Sequence, residues 1–195
     1  MEFSVPMALF DFIPVILFGW ATIIFQRYFY KRMSRGPFAL YCSGTIMVVA
    51  AGIFKAVWKL LIALGICDFQ ALNSAFMPMQ SLGFLLSAVA VLRFVWSRKS
   101  KGEVLLSLPV ISSSMPFVVL LVLGSLGAYS GYMVLALRRK KKGISLMFLL
   151  SFLLLLGMGY LSSRDFSKAS INWIGEFVNL FAQGSLLIGA YGLTR

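Results

Sequence analysis

Asn172, Glu176, Asn179 and Gln183 recur four, three and four residues apart within a mostly apolar stretch. At about 100° per helical residue they share one face about 60° wide. Asn73, Gln80 and Ser87, seven residues apart each time, share a face of an earlier apolar stretch in the same way. In hydrocarbon an unsatisfied polar group costs several kcal/mol, so both stripes are expected to turn inward. Two chemistries fit. Gln80, Gln183, Asn179 and Asn73 could form hydrogen bonds to a small polar solute, or the amides could tie helices together at about 0.6 kcal/mol per contact.

Lys55 and Lys59 lie one helical turn apart in another apolar stretch. An ammonium there must reach water or find an anion. Glu176 and Asp11 fall at a matching depth, so Lys59 with Glu176, or Lys55 with Asp11, is the expected charge gate. Lys59 also stands beside Trp58, an interfacial aromatic, and snorkelling is its simpler expected fate.

Other chemistry has little to be built from. The chain has no histidine and two cysteines. Cys42 and Cys67 would be roughly 37 Å apart along one helix and cannot bridge within it. No metal or other cofactor is expected. A nucleophile elbow, a P-loop and an HExxH motif are all missing from the sequence, so a non-enzymatic role is expected. The net charge of +12 sits in short loops without interleaved aromatics, which argues against nucleic acid. Membrane lipids are the expected partners, with anionic headgroups binding the basic loops at about 1 kcal/mol per residue.

The elements that carry these side chains follow from composition. Of 195 residues 60% are hydrophobic and 12% charged, with a mean hydropathy of +0.91, too apolar for one small water-soluble core. Apolar runs cover Val5–Tyr30, Pro37–Leu64, Asn73–Trp96, Val104–Leu137, Ile144–Leu161 and Ile171–Leu193. Each is long enough for a hydrocarbon layer that needs roughly 20 helical residues. In the first run the basic residues follow the apolar stretch, so it reads as a retained span and not a cleaved signal. The fold class is therefore all-α: a polytopic transmembrane helical bundle, one integral membrane domain over 1–195.

The number of crossings turns on Val104–Leu137. If that run crosses once there are six helices (3+3), and the basic cluster Arg138–Lys142 lies opposite Lys31–Arg35 and Arg98–Lys101, against the positive-inside rule. If it folds back near Ser112–Pro116, seven segments result (3+1+3), and every basic loop joins Arg195 on the cytoplasmic side. The short fourth segment, Glu103–Ile111, would then extend only about 13 Å and be short or re-entrant. The seven-segment layout is the expectation, with the N-terminus outside and the chain in the plasma (inner) membrane.

Proline, glycine and amide positions suggest an internal repeat of 1–96 and 109–195 joined by 97–108. Pro6 and Pro109, Pro14 and Pro116, Asn73 and Glu176, and Gln80 and Gln183 are offset by 102 or 103 positions. Like-oriented three-helix units with a linking segment are one known transporter plan. The expected function is a small-solute transporter or channel with a polar cavity between the units. The alternative is a non-catalytic accessory or scaffold subunit whose partner is another membrane protein or a second copy of the chain.

Overall fold

The computed structural model describes residues 4–96, 114–162 and 169–195, and all regular structure among them is helical. The helices are α1 (Val5–Phe10), α2 (Phe12–Tyr30), α3 (Arg35–Ala63), α4 (Gln70–Trp96), α5 (Ser114–Arg138), α6 (Lys142–Ser162) and α7 (Ala169–Thr194). With α1 and α2 counted as one span, six stretches are long and apolar enough to cross a membrane. The six-helix alternative fits this count, and the seven-segment expectation is not confirmed, since its fourth segment falls outside the described residues. Large apolar side chains such as Ile16, Ile46, Leu123, Leu153 and Phe181 stand exposed on the outside. In water such a surface would be a liability, whereas acyl chains accept it.

Proline and left-handed residues set the boundaries. Pro14 has no N–H to bond the Phe10 carbonyl, and the first span breaks at Asp11, between α1 and α2. Pro116 lies in the first turn of α5, where the missing donor would have been unpaired anyway. At the end of α3, Gly65 adopts φ +67° while Gly65 N–H bonds Ile62 O and Ile66 N–H bonds Leu61 O, a Schellman stop. Lys140, at φ +58°, makes the same stop after α5, with its N–H on Leu137 O and that of Lys141 on Ala136 O.

Glycine contacts fix the helix directions. Gly44 of α3 faces α4 so closely that a Cβ there would lie 2.5 Å from the Gly83 carbonyl oxygen. Along α5, Gly124 meets Phe84 and Leu85, Gly127 meets Ala88 and Gly131 meets Val91. Both series climb together, so α4 and α5 run parallel, and the chain leaves α4 at one end of the bundle and enters α5 at the other. Ile144 against Gly192 and Phe148 against Gly189 make α6 and α7 antiparallel. Phe10 packs on Trp173 and Trp20 donates to the Tyr191 hydroxyl, which makes α2 and α7 parallel. Each long helix packs on the next, and α7 returns to α2, closing a ring of six; α1 lies on α3.

At one end the C-termini of α2, α4 and α7 meet the basic residues. Arg32 donates to Tyr28 O at 2.9 Å, Arg138 to Val95 O at 2.7 Å, Arg139 to Leu193 O at 2.6 Å and Lys141 to Gly192 O at 2.8 Å. Cations are favourable against the exposed carbonyls and negative dipole end of a helix. This basic end therefore collects Lys31–Arg35, Arg138–Lys142 and Arg195. The turn between α3 and α4, with Cys67 and Asp68, lies at the distal end. Replacing Lys31 or Lys140 by cysteine in a Cys67→Ser background should give labelling by a membrane-impermeant maleimide from one face, and native Cys67 from the other. Labelling of Lys31→Cys and Lys140→Cys from opposite faces would contradict the parallel packing of α4 and α5.

Candidate functional site

Near the distal end three ionisable side chains converge in the protein interior. Lys59 Nζ lies 2.8 Å from Asp11 Oδ2 and 2.7 Å from Glu176 Oε1. All three residues are buried, at 7%, 8% and 4% exposure respectively. The break before Pro14 places Asp11 where α1 packs on α3, and the inward face of α7 supplies Glu176. One ammonium thus joins the first third of the chain to the last. Helical rise puts Lys59 only about 6 Å from the end of α3, close to where a 30 Å hydrocarbon layer would begin. Next to Asp11 and Glu176 in the chain, Phe10, Trp173 and Phe177 pack on one another with ring centroids 5.6 to 6.1 Å apart and tie α1 to α7.

Of the two expected pairs, Lys59 with Glu176 forms, and Asp11 joins it on the same ammonium. Lys59 does not snorkel, because two carboxylates reach it first. Lys55 does not take Asp11 as its salt-bridge partner; its ammonium sits 4.2 Å above the ring of Phe76 on α4, a cation–π contact. Trp58 turns to the distal loop and donates to Asp68 Oδ1 at 2.8 Å, with Gln70 on the other oxygen at 2.6 Å.

The amide stripes fall as follows. Asn172, Glu176 and Gln183 of α7 are buried, and Gln183 donates to Asn179 Oδ1 at 3.2 Å. Glu176 Oε2 and Gln183 Oε1 are buried and accept no hydrogen bond among the described residues. On α4, Asn73 and Gln80 are half-buried while Ser87 is buried. α4 and α7 are not neighbours in the ring.

Between them, near mid-depth, is a small enclosed void of about 10 Å³, room for the centre of about one water. Its hydroxyls are Thr22, Thr45 and Ser87, and rings of Phe18, Phe25 and Phe84 close the sides. Tyr129 and Tyr132 of α5 complete the wall. Of the residues in the two stripes, Ser87 alone borders this void among the described residues. Below it Phe25 stacks on Tyr132 at 4.3 Å between centroids, and the Tyr132 hydroxyl pairs with that of Tyr41 at 2.9 Å. Sequence reading missed Thr22, Thr45, Tyr41, Tyr129 and Tyr132, since single hydroxyls in apolar helices look ordinary; the available signal was three tyrosines in the span interiors and not at their ends.

No protein-family model, no curated protein and no solved structure matches this chain. The site therefore stands on its own geometry. Breaking a buried charge pair by removing one partner costs about 3–5 kcal/mol. Lys59→Met should destabilise the detergent-solubilised protein by that order in a denaturation series, and adding Asp11→Asn and Glu176→Gln should restore most of it. A Lys59→Met protein as stable as the parent would show that the ammonium is not held by two buried carboxylates.

Proposed function

We propose that this multi-pass membrane protein carries a small solute along a path between two like-oriented helical units, α1–α4 and α5–α7. The observation that supports it most is the Lys59 ammonium held by Asp11 of its own unit and Glu176 of the other. Burying three ionisable groups for helix packing alone is a poor bargain, since well-packed apolar residues usually do as well. A salt bridge across two halves is, by contrast, a contact that can open when the halves rock, which is the usual motion of carriers built from paired units.

In this reading the bridge is the distal gate, with Lys55 beside it as a further charge. The aromatic and tyrosine layer around Phe25, Tyr132 and Tyr41 closes the path toward the basic end. Gln80, Asn73, Asn179 and Gln183 supply hydrogen bonds along the approach. The basic end faces the cytoplasm, following the distribution of lysine and arginine, and binds anionic headgroups of the plasma membrane.

A second reading draws on the nearly filled interior. A void of one water suits an accessory or scaffold subunit, whose polar stripes specify helix contacts and whose partner is another membrane protein or a second copy of this chain. Proteoliposome uptake separates the two. With a panel of labelled polyols, amides, amino acids and carboxylates, the carrier reading expects flux of at least one class above empty vesicles. It expects Glu176→Gln and Gln183→Leu to lower that flux at least tenfold while the proteins remain folded. Flux indistinguishable from empty vesicles across the panel favours the accessory role, and unchanged flux in both variants removes the site assignment.

A further inference from the structure

The enclosed void is lined by hydrogen-bond acceptors and no charge, beside the Tyr132 hydroxyl, which shares one contact of 2.9 Å with the Tyr41 hydroxyl. Thr22 Oγ1 donates to Gly19 O at 2.8 Å and Ser87 Oγ to Gly83 O at 2.8 Å. Each hydroxyl has one proton, so both oxygens can meet an occupant only as acceptors. Thr45 Oγ1 likewise gives its proton to the Tyr41 and Cys42 carbonyls and already accepts from Gln26 Nε2 at 2.9 Å. Tyr129 is engaged too. Ser151 Oγ lies 2.7 Å from Ala182 O and 3.1 Å from the Tyr129 hydroxyl; with the serine proton on the carbonyl, which can only accept, the tyrosine proton fills the second contact.

Charge selection follows from position. The acids at the distal end are committed to Lys59, and the opposite exit is lined by Arg32, Arg138, Arg139 and Lys141. A cation at the void would be without a counter-ion and face a basic exit. An anion would meet acceptor oxygens and the negative faces of aromatic rings.

Resting on the carrier reading, we propose that this mid-depth chamber is the solute site, and that it takes a small uncharged molecule bearing hydrogen-bond donors, such as a short polyol or a small amide. Donors of the solute bind Thr22, Ser87 and the free lone pair of Thr45, and its carbon skeleton lies against Phe18, Phe25 and Phe84. Separation of the two units enlarges this void of about one water to admit the solute.

Counterflow of labelled glycerol and urea into proteoliposomes tests this against methylammonium and formate. Glycerol or urea should exchange faster than in empty vesicles and the two ions should not. The pair Thr22→Val and Ser87→Ala, which removes two acceptors with little change of shape, should cut that exchange at least tenfold. Ser130→Ala deletes a hydroxyl bonded to its own helix at Gly127 O but outside the chamber wall, and should leave the rate unchanged; melting temperatures check that all variants fold. Exchange of methylammonium or formate that Glu176→Gln abolishes would overturn the assignment of solute class while keeping the carrier reading. Neutral exchange that survives in the Thr22→Val, Ser87→Ala protein would overturn the assignment of the chamber. Absence of exchange for every probe, with labelled amino acids and dicarboxylates also static, would remove both.

Discussion

A charge buried between helices must be neutralised where it lies, and one ammonium meets that demand for two carboxylates here. Lys59 at the distal end of α3 determines that Asp11 must face inward at the break after α1. It determines equally that α7 must turn its polar side toward α3. Since α7 closes the ring against α2, the orientation of the last helix and the closure of the bundle are tied to the same few oxygen atoms. The ionic contact is also the kind of interaction that holds firmly when shielded and weakens once water enters.

Away from that bridge the interior is held by aromatic stacking and close glycine contacts. Gly44, Gly83, Gly124 and Gly127 let α3, α4 and α5 approach to backbone distance, as membrane helices do in the absence of a hydrophobic drive between them. Phe25, Phe29, Tyr132 and Phe148 fill the centre. The Thr22, Thr45 and Ser87 hydroxyls donate to carbonyls of their own helices, so a mid-depth layer remains polar enough to meet a donor. Polar chemistry is thereby divided into a charged layer at the distal end, a hydroxyl layer in the middle and a cationic layer at the basic end.

Much of this is legible in the residues themselves. Apolar length gives six helices long enough to cross a membrane, and the spacing of Asn172, Glu176 and Gln183 gives the inward face of α7. The depth match of Lys59 and Glu176 could be read from their distances to helix ends. What could not be read was competition: Lys59 had a tryptophan neighbour and a water boundary within reach, and only the packing of α1 on α3 decides that two carboxylates win. Pro14, notable in sequence for its echo in Pro116, acts instead as the break that brings Asp11 into range. The central void escaped because its walls come from five helices, and a one-dimensional stripe records only one helix at a time. The fourth segment of the seven-segment expectation falls among residues outside those described, whereas the gathering of basic residues at one end follows from the parallel course of α4 and α5.

Dipolar-recoupling solid-state NMR between ¹⁵Nζ of lysine and the carboxyl ¹³C of aspartate and glutamate, in lipid bilayers, reads the shared ammonium directly. Dephasing of the Lys59 signal by both carboxyl types, lost separately in Asp11→Asn and Glu176→Gln, is the expected result. A Lys59 signal that no carboxyl carbon dephases, or that only one does in the parent protein, would contradict the bridge on which the inward face of α7 and the proposed gate depend.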